Sequence, residues 1–181
     1  SVQTNKELVN SDAIIVSLAS YSPTLLKPLG INIPIQPAKG YSVTVPTTGY
    51  NAAPTVSITD ADHKIVFSRL GERLRIAGTV EFTGYNTDIN HERVRSILNI
   101  AEHIFPAAGD YSRAEFWTGL RPLTPDGVPI IGETKYKNLY LNTGHGSLGW
   151  TMCAGSGKII SDLINNRSSS INVSDIGLNR F

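Results

Sequence analysis

The sequence predicts a mixed α+β and α/β chain: an antiparallel-sheet unit with a helical cover in the middle, and pieces of an α/β unit at both ends. Short runs between Tyr41 and Thr79 alternate apolar and polar residues, the period of half-buried strands. Residues 90–105 place apolar side chains at helical spacing. The two ends instead carry continuous apolar runs, the second leading through a glycine-rich junction into another helix, as strands of a covered sheet do.

In chain order, Asp12 to Ala19 follows an Asn-Ser turn signal and reads as a strand buried on both faces. Tyr41 to Pro46 and Thr55 to Thr59 alternate, and Lys64 to Arg69 and Arg73 to Thr79 supply two further short strands. Val94, Ile97, Leu98, Ala101, Ile104 and Phe105 line one face of the central helix, with Asn90 as N-cap and Pro106 as its stop. Ala114 to Leu120 and Asn138 to Asn142 read as strands, and Leu148, Met152, Gly155, Ile159 and Leu163 mark one face of a closing helix. The tail after Asn165 is polar and reads as irregular. The expected organisation is residues 1–36 and 118–166 as parts of one α/β domain, 37–117 as a sheet domain, and 167–181 as a tail.

Composition narrows the function. Sixteen basic and fifteen acidic side chains leave a net charge of +1, which provides no field for nucleic acid or an anionic membrane. The single cysteine, Cys153, cannot form an internal disulfide and suits a reducing, cytoplasmic compartment. No run of 18 apolar residues and no signal-peptide pattern occurs. His63, His91 and His103 have no ligand spacing, so no metal site is expected.

Two segments could carry chemistry. Trp117 to Gly132 holds three prolines and three glycines after a strand and reads as a stiff, shaped loop. Within it, Arg121 is either a bidentate anchor for a carboxylate or the structural partner of an acid such as Asp126. Asp126-Gly127 itself reads as a turn. Thr143 to Gly157 joins a strand to a helix through Gly144, Gly146 and Gly149, and a helix start of this kind presents unpaired N–H groups and positive dipole to an anion. Gly155 and Gly157 further along that helix imply close packing, either by another element or by a cofactor. His145 either titrates beside a ligand or merely rides on a loop defined by its backbone, Cys153 reads as a packed thiol, and Tyr41 either offers its hydroxyl to a ligand or fills the core.

Taken together, Trp117 to Gly132 and Asn142 to Asp162 resemble the C-terminal motifs of the D-amino-acid oxidase-like flavoenzymes, most closely their bacterial dehydrogenase branch. Pro37-Ala-Lys-Gly-Tyr-Ser42 and Arg75-Ile-Ala-Gly-Thr-Val-Glu-Phe82 agree with the same family. The resemblance implies FAD-linked oxidation of a D-amino acid, with hydride passing from the α-carbon to flavin N5 and hydrolysis yielding a 2-oxo acid and ammonia. It implies that Arg121 binds the substrate carboxylate, that Tyr41 lies near the substrate, and that Gly144, His145, Gly146, Leu148, Gly149, Trp150 and Thr151 face the flavin ring. No residue is assigned a proton-transfer role.

The family's N-terminal dinucleotide fingerprint is not found in these 181 residues. The expectation is therefore a C-terminal portion, inactive and nearly FAD-free without an N-terminal FAD-binding half. A respiratory electron acceptor and a peripheral position at the inner face of the bacterial membrane are further expectations, and a glycine or small-amine oxidase of the same family is one alternative. A second alternative, of a different class, is a non-catalytic module that uses Arg121 and the glycine loop to hold a carboxylate. Ala19 stands where the family's glycine is expected.

Overall fold

A computed structural model describes Ser1 to Phe181. The elements are β1 (Val2–Gln3), β2 (Leu8–Val9), β3 (Ile14–Val16), α1 (Ser22–Leu26), β4 (Gln36–Pro46), β5 (Ile58–Asp60), β6 (Ile65–Leu70), β7 (Arg73–Glu81), α2 (His91–Ile104), β8 (Glu115–Leu123), β9 (Ile130–Glu133), β10 (Leu139–Thr143) and α3 (Gly149–Ile164). The chain divides into two compact units, one of Ser1–Pro37 with Arg121–Phe181 and the other of Ala38–Leu120.

The Ala38–Leu120 unit is built on a sheet of order β5-β6-β7-β4-β8. Tyr41, Val43 and Val45 of β4, Ile65 and Phe67 of β6, and Leu74 and Ile76 of β7 form one apolar face, on which Val94, Ile97 and Ala101 of α2 pack. Each such large side chain contributes about 1.5 to 3 kcal/mol on burial. Asn90 caps α2 as its sequence predicts, its side chain accepting from the N–H groups of Glu92 and Arg93. At the other end the Tyr111 hydroxyl donates to the carbonyls of Ala101 and Phe105, at 3.1 and 2.8 Å, and burial pushes its pKa up to about 12. The expected alternation in β4 holds from Val43 to Pro46, where Thr44 and Pro46 are the less buried, but fails at Ser42, which is buried like Lys39 before it in this central strand. Nor does β5 reach back to Thr55; it begins at Ile58, and Val56 is exposed.

The other unit carries a three-stranded sheet, β3-β10-β9, in which β3 runs parallel and β9 antiparallel to β10. Ile131 and Tyr140 of this sheet pack against Ile159 and Ile160 of α3. Sequence reading made β3 longer and buried on both faces; it has three residues and Ile15 is exposed, since β3 is an edge strand. The following turn places Ala19 in the left-handed region at φ 49°, where glycine is at ease and alanine is strained. A buried relay fixes it: Thr143 donates to the Ala19 carbonyl at 3.3 Å, so Ser22 must donate to Thr143 across 2.8 Å.

The tail is ordered rather than irregular. Val173 and Ile176 pack beside Ile159 and Ile160, Leu178 joins the cluster around Ile130 and Leu141, and Arg180 reaches Asp126 at 2.7 Å and the Val128 carbonyl at 2.6 Å. The apolar residues that dock it are spaced too irregularly to announce themselves against a polar background. Residues missed at the other end form a small hairpin of β1 and β2.

Arg180, by hydrogen bonding, holds the Asp126 carboxyl below the usual carboxylate range, against the opposing effect of burial. A depressed folded-state pKa means that this stabilisation is fully present above the unfolded value of about 3.9 and is lost as pH falls. Arg180→Ala should therefore lower the melting temperature at pH 7 and leave a shallower decline between about pH 5 and pH 2, read by circular dichroism melts across that range. Parallel acid profiles for the two proteins would contradict the pairing.

Candidate active site

Arg121 and the glycine junction belong to the same unit. Arg121 lies inside β8 rather than in a loop after it, because the strand runs on to Leu123. Pro122 is tolerated there because β8 is an edge strand, where a missing N–H breaks no ladder. The polypeptide then turns through Asp126-Gly127, with Gly127 at φ 75° and the Asp126 carboxylate accepting from the Val128 N–H at 3.0 Å. Since Asp126 is held by Arg180, the structural reading of Arg121 as the partner of Asp126 is set aside. Arg121 is partly buried, and desolvation lowers its pKa from the ordinary value without discharging a guanidinium.

The glycine junction packs against this strand end. The Gly146 N–H donates to the Pro122 carbonyl at 3.0 Å, which ties the junction to the residue next to Arg121. Gly144 makes the approach possible: its φ is 77°, and an added Cβ would lie 2.8 Å from the Thr124 methyl. A turn closed by Leu148 N–H to the His145 carbonyl, 3.0 Å, then delivers the chain into α3, whose first helical bond runs from Met152 N–H to the Leu148 carbonyl. No side chain caps α3 and no acidic residue sits in its first turn. Its start is open to solvent: Leu148 is 52% exposed and Trp150 91%, Thr151 is exposed, and Gly149 and Gly146 are partly so.

His145 points back into the protein, its Nε2 3.0 Å from the hydroxyl of the buried Ser156 on α3. Burial lowers its pKa and favours the neutral ring. Here the imidazole fastens the junction to the helix as well as the backbone does.

Other expectations are corrected. Tyr41 lies in the second unit, 1% exposed, with its hydroxyl on Glu81 and its ring in the apolar core, so it does not present a hydroxyl to solvent. Cys153 is exposed rather than packed. The predicted buried face of α3 fails in its first half: Leu148 and Gly155 are exposed, and burial begins at Ser156. Side chains added at Gly155 or Gly157 would meet nothing within 4 Å, so no element of this chain requires those glycines. No group of three or more His, Cys, Asp or Glu side chains could hold a metal ion, and no helix is long and apolar enough to cross a membrane.

A strand end bearing a partly buried arginine is thus joined to an uncapped helix start, and comparison with known proteins gives the class to which the chain belongs. The family model described as FAD dependent oxidoreductase matches residues 1–163. The D-amino acid dehydrogenase of Paramagnetospirillum magneticum is 52% identical over 178 residues, and that of Xanthobacter autotrophicus 47% over 175. These matches take in 98% and 97% of this chain but 42% of each relative, so the chain spans less than half of their length. Among solved structures, glycine oxidase from Geobacillus kaustophilus superposes with a TM-score of 0.80 at 23% identity, over 94% of this chain and 46% of that one, a likeness of fold. The chain belongs to the FAD dependent oxidoreductase family. The residues present fit the ring end of such a cofactor: an uncapped, acid-free helix start beside left-handed glycines offers N–H groups and positive dipole to an electron-rich ring edge.

Because burial depresses the pKa of His145, the folded state binds this proton less readily than the unfolded chain. The neutral ring's contribution is complete above the unfolded value of about 6.5 and is lost as pH falls below it. Between about pH 7 and pH 5 the melting temperature should fall, and His145→Gln should flatten that fall. Scanning fluorimetry on both proteins measures it; identical slopes would mean that His145 titrates as it does in the unfolded chain.

Proposed function

We propose that this chain supplies the carboxylate anchor and the ring-facing wall of an FAD-linked D-amino acid dehydrogenase. The observation that carries this reading is the Gly146 to Pro122 hydrogen bond, which couples the wall to the strand holding Arg121. The names of the Paramagnetospirillum and Xanthobacter relatives support the substrate class.

In this reading Arg121 grips the substrate carboxylate through its planar fork of donors, fixing the α-carbon in place. The N–H groups at Gly149, Trp150 and Thr151, together with the α3 dipole, stabilise negative charge gathering on the ring edge that Gly144 to Thr151 would face. Leu148 and Trp150 exclude water from that edge. His145, kept neutral by burial, holds the junction in shape and transfers no proton. The chemistry that FAD supplies when bound is acceptance of the hydride at N5; the imino acid left behind hydrolyses to a 2-oxo acid and ammonia. The unit of Ser1–Pro37 with Arg121–Phe181 is read as part of an FAD-binding domain and the Ala38–Leu120 unit as a substrate-binding domain. Further polypeptide of the length found in the relatives would hold the rest of FAD, and a respiratory acceptor at the inner face of the bacterial membrane would take the electrons. The chain alone is then inactive and retains little FAD.

The test joins this chain to the remaining sequence of the Paramagnetospirillum relative. A D-amino acid should bleach the bound flavin, and Arg121→Ala should lower kcat/KM on the order of 100- to 1000-fold, equivalent to about 3 to 4 kcal/mol. Bleaching that is equally fast in the variant would remove Arg121 from the role, and none with any amino acid would favour a carboxylate-binding module. Rapid reoxidation by oxygen would move the reading to a small-amine oxidase.

A further inference from the structure

Within the Ala38–Leu120 unit, four unusual features meet at one place that the proposed reaction does not use. The first is a β-bulge between β4 and β7: Gly40 faces Val80 and Tyr41 faces Gly78, which leaves Thr79 as the extra residue. The second is strain. Thr79 sits at φ 53°, a left-handed conformation that a β-branched side chain adopts only when its surroundings impose it. The bulge re-aims the Thr79 hydroxyl, which accepts from Arg93 Nη1 at 2.9 Å.

The third feature is an imbalance of charge. Glu81 receives the Tyr41 hydroxyl and, at 3.0 Å, the Lys39 ammonium on one oxygen, and hydrogen bonds from these two hold its carboxyl below the usual range. Its other oxygen lies 3.6 Å from Arg93 Nε, an ion pair without a hydrogen bond. One carboxylate thus faces two cations, one of them almost fully buried, and Arg93 Nε is a buried donor left unsatisfied.

The fourth is space. A cavity of about 210 Å³ opens beside Arg93, lined by Thr79, Ser96 and His63 over a floor of isoleucines. The nearby His63 ring is engaged through Nδ1 by Asp60 at 2.7 Å. The cavity is below the roughly 300 to 1,000 Å³ of pockets for drug-sized ligands, yet ample for one small ion with a few waters at about 30 Å³ each.

We propose that this cavity binds a small oxyanion, held by the Arg93 guanidinium and the hydroxyls of Thr79 and Ser96. The ligand chemistry shared by inorganic phosphate and a short carboxylate fits a guanidinium beside two hydroxyls. Occupancy supplies negative charge beside Arg93 and gives the strained threonine at the bulge a ligand-facing role.

Isothermal titration of the 181-residue chain at constant ionic strength, with phosphate in one arm and acetate in the other, tests the site. Saturable binding of at least one probe is expected, and the stronger arm identifies a tetrahedral or a planar ligand. Arg93→Gln should weaken that binding about tenfold or more. Ser96→Leu, which fills the cavity while leaving the Glu81 ion pairs in place, should abolish it and remains informative if the Arg93 variant does not fold. No saturable heat from either probe, or unchanged affinity in the Ser96 variant, overturns the proposal.

Discussion

One backbone hydrogen bond, from the Gly146 N–H to the Pro122 carbonyl, organises the candidate site. Proline has no N–H to give, but its carbonyl is free to accept on the open side of an edge strand. The glycine junction uses that acceptor, and Gly144 permits the close approach by lacking a Cβ that would collide with Thr124. The bond pins the junction beside Arg121 and precedes the turn from His145 to Leu148. α3 begins without a side-chain cap because Leu148, at its N-cap, carries no acceptor. A capped or acid-bearing start would have satisfied the N–H groups internally and left nothing to offer an anion.

The Ala38–Leu120 unit obeys a different constraint. Its sheet buries a lysine and a tyrosine against a partly buried glutamate, and such groups persist only when paired and hydrogen bonded. Tyr41 is therefore a structural member of that network, with its ring in the core and its hydroxyl on Glu81. The network reaches α2 through Arg93 and β7 through the bulge, so the polar cluster and the backbone irregularity are two aspects of one solution to burying charge.

Much of this was legible in the sequence. Asn90, the α2 periodicity, the β6 and β7 strands and the Asp126-Gly127 turn are local signals, and local chemistry decides them. Arg121 and the junction from Gly144 to Thr151 stood out because glycine and proline mark special backbone. What failed depended on neighbours that periodicity cannot see. Burial of Lys39 and Ser42 accompanies the central place of β4 in the sheet, and the exposure of Ile15 the edge position of β3. The exposed first half of α3 reflects a helix that its own chain covers only from Ser156 onward. Arg180 was invisible because its partner, Asp126, lies 54 residues away in a segment already explained as a turn.

The most direct test of the central constraint is amide hydrogen exchange of this chain, followed residue by residue by NMR. If the bond to Pro122 holds the junction, the Gly146 amide should exchange as slowly as that of Leu141 in β10, while the amide of Trp150 at the uncapped start of α3 exchanges freely. A Gly146 amide that exchanges as fast as that of Trp150 would mean the junction is not fastened to the Arg121 strand, and the site as built here would not exist.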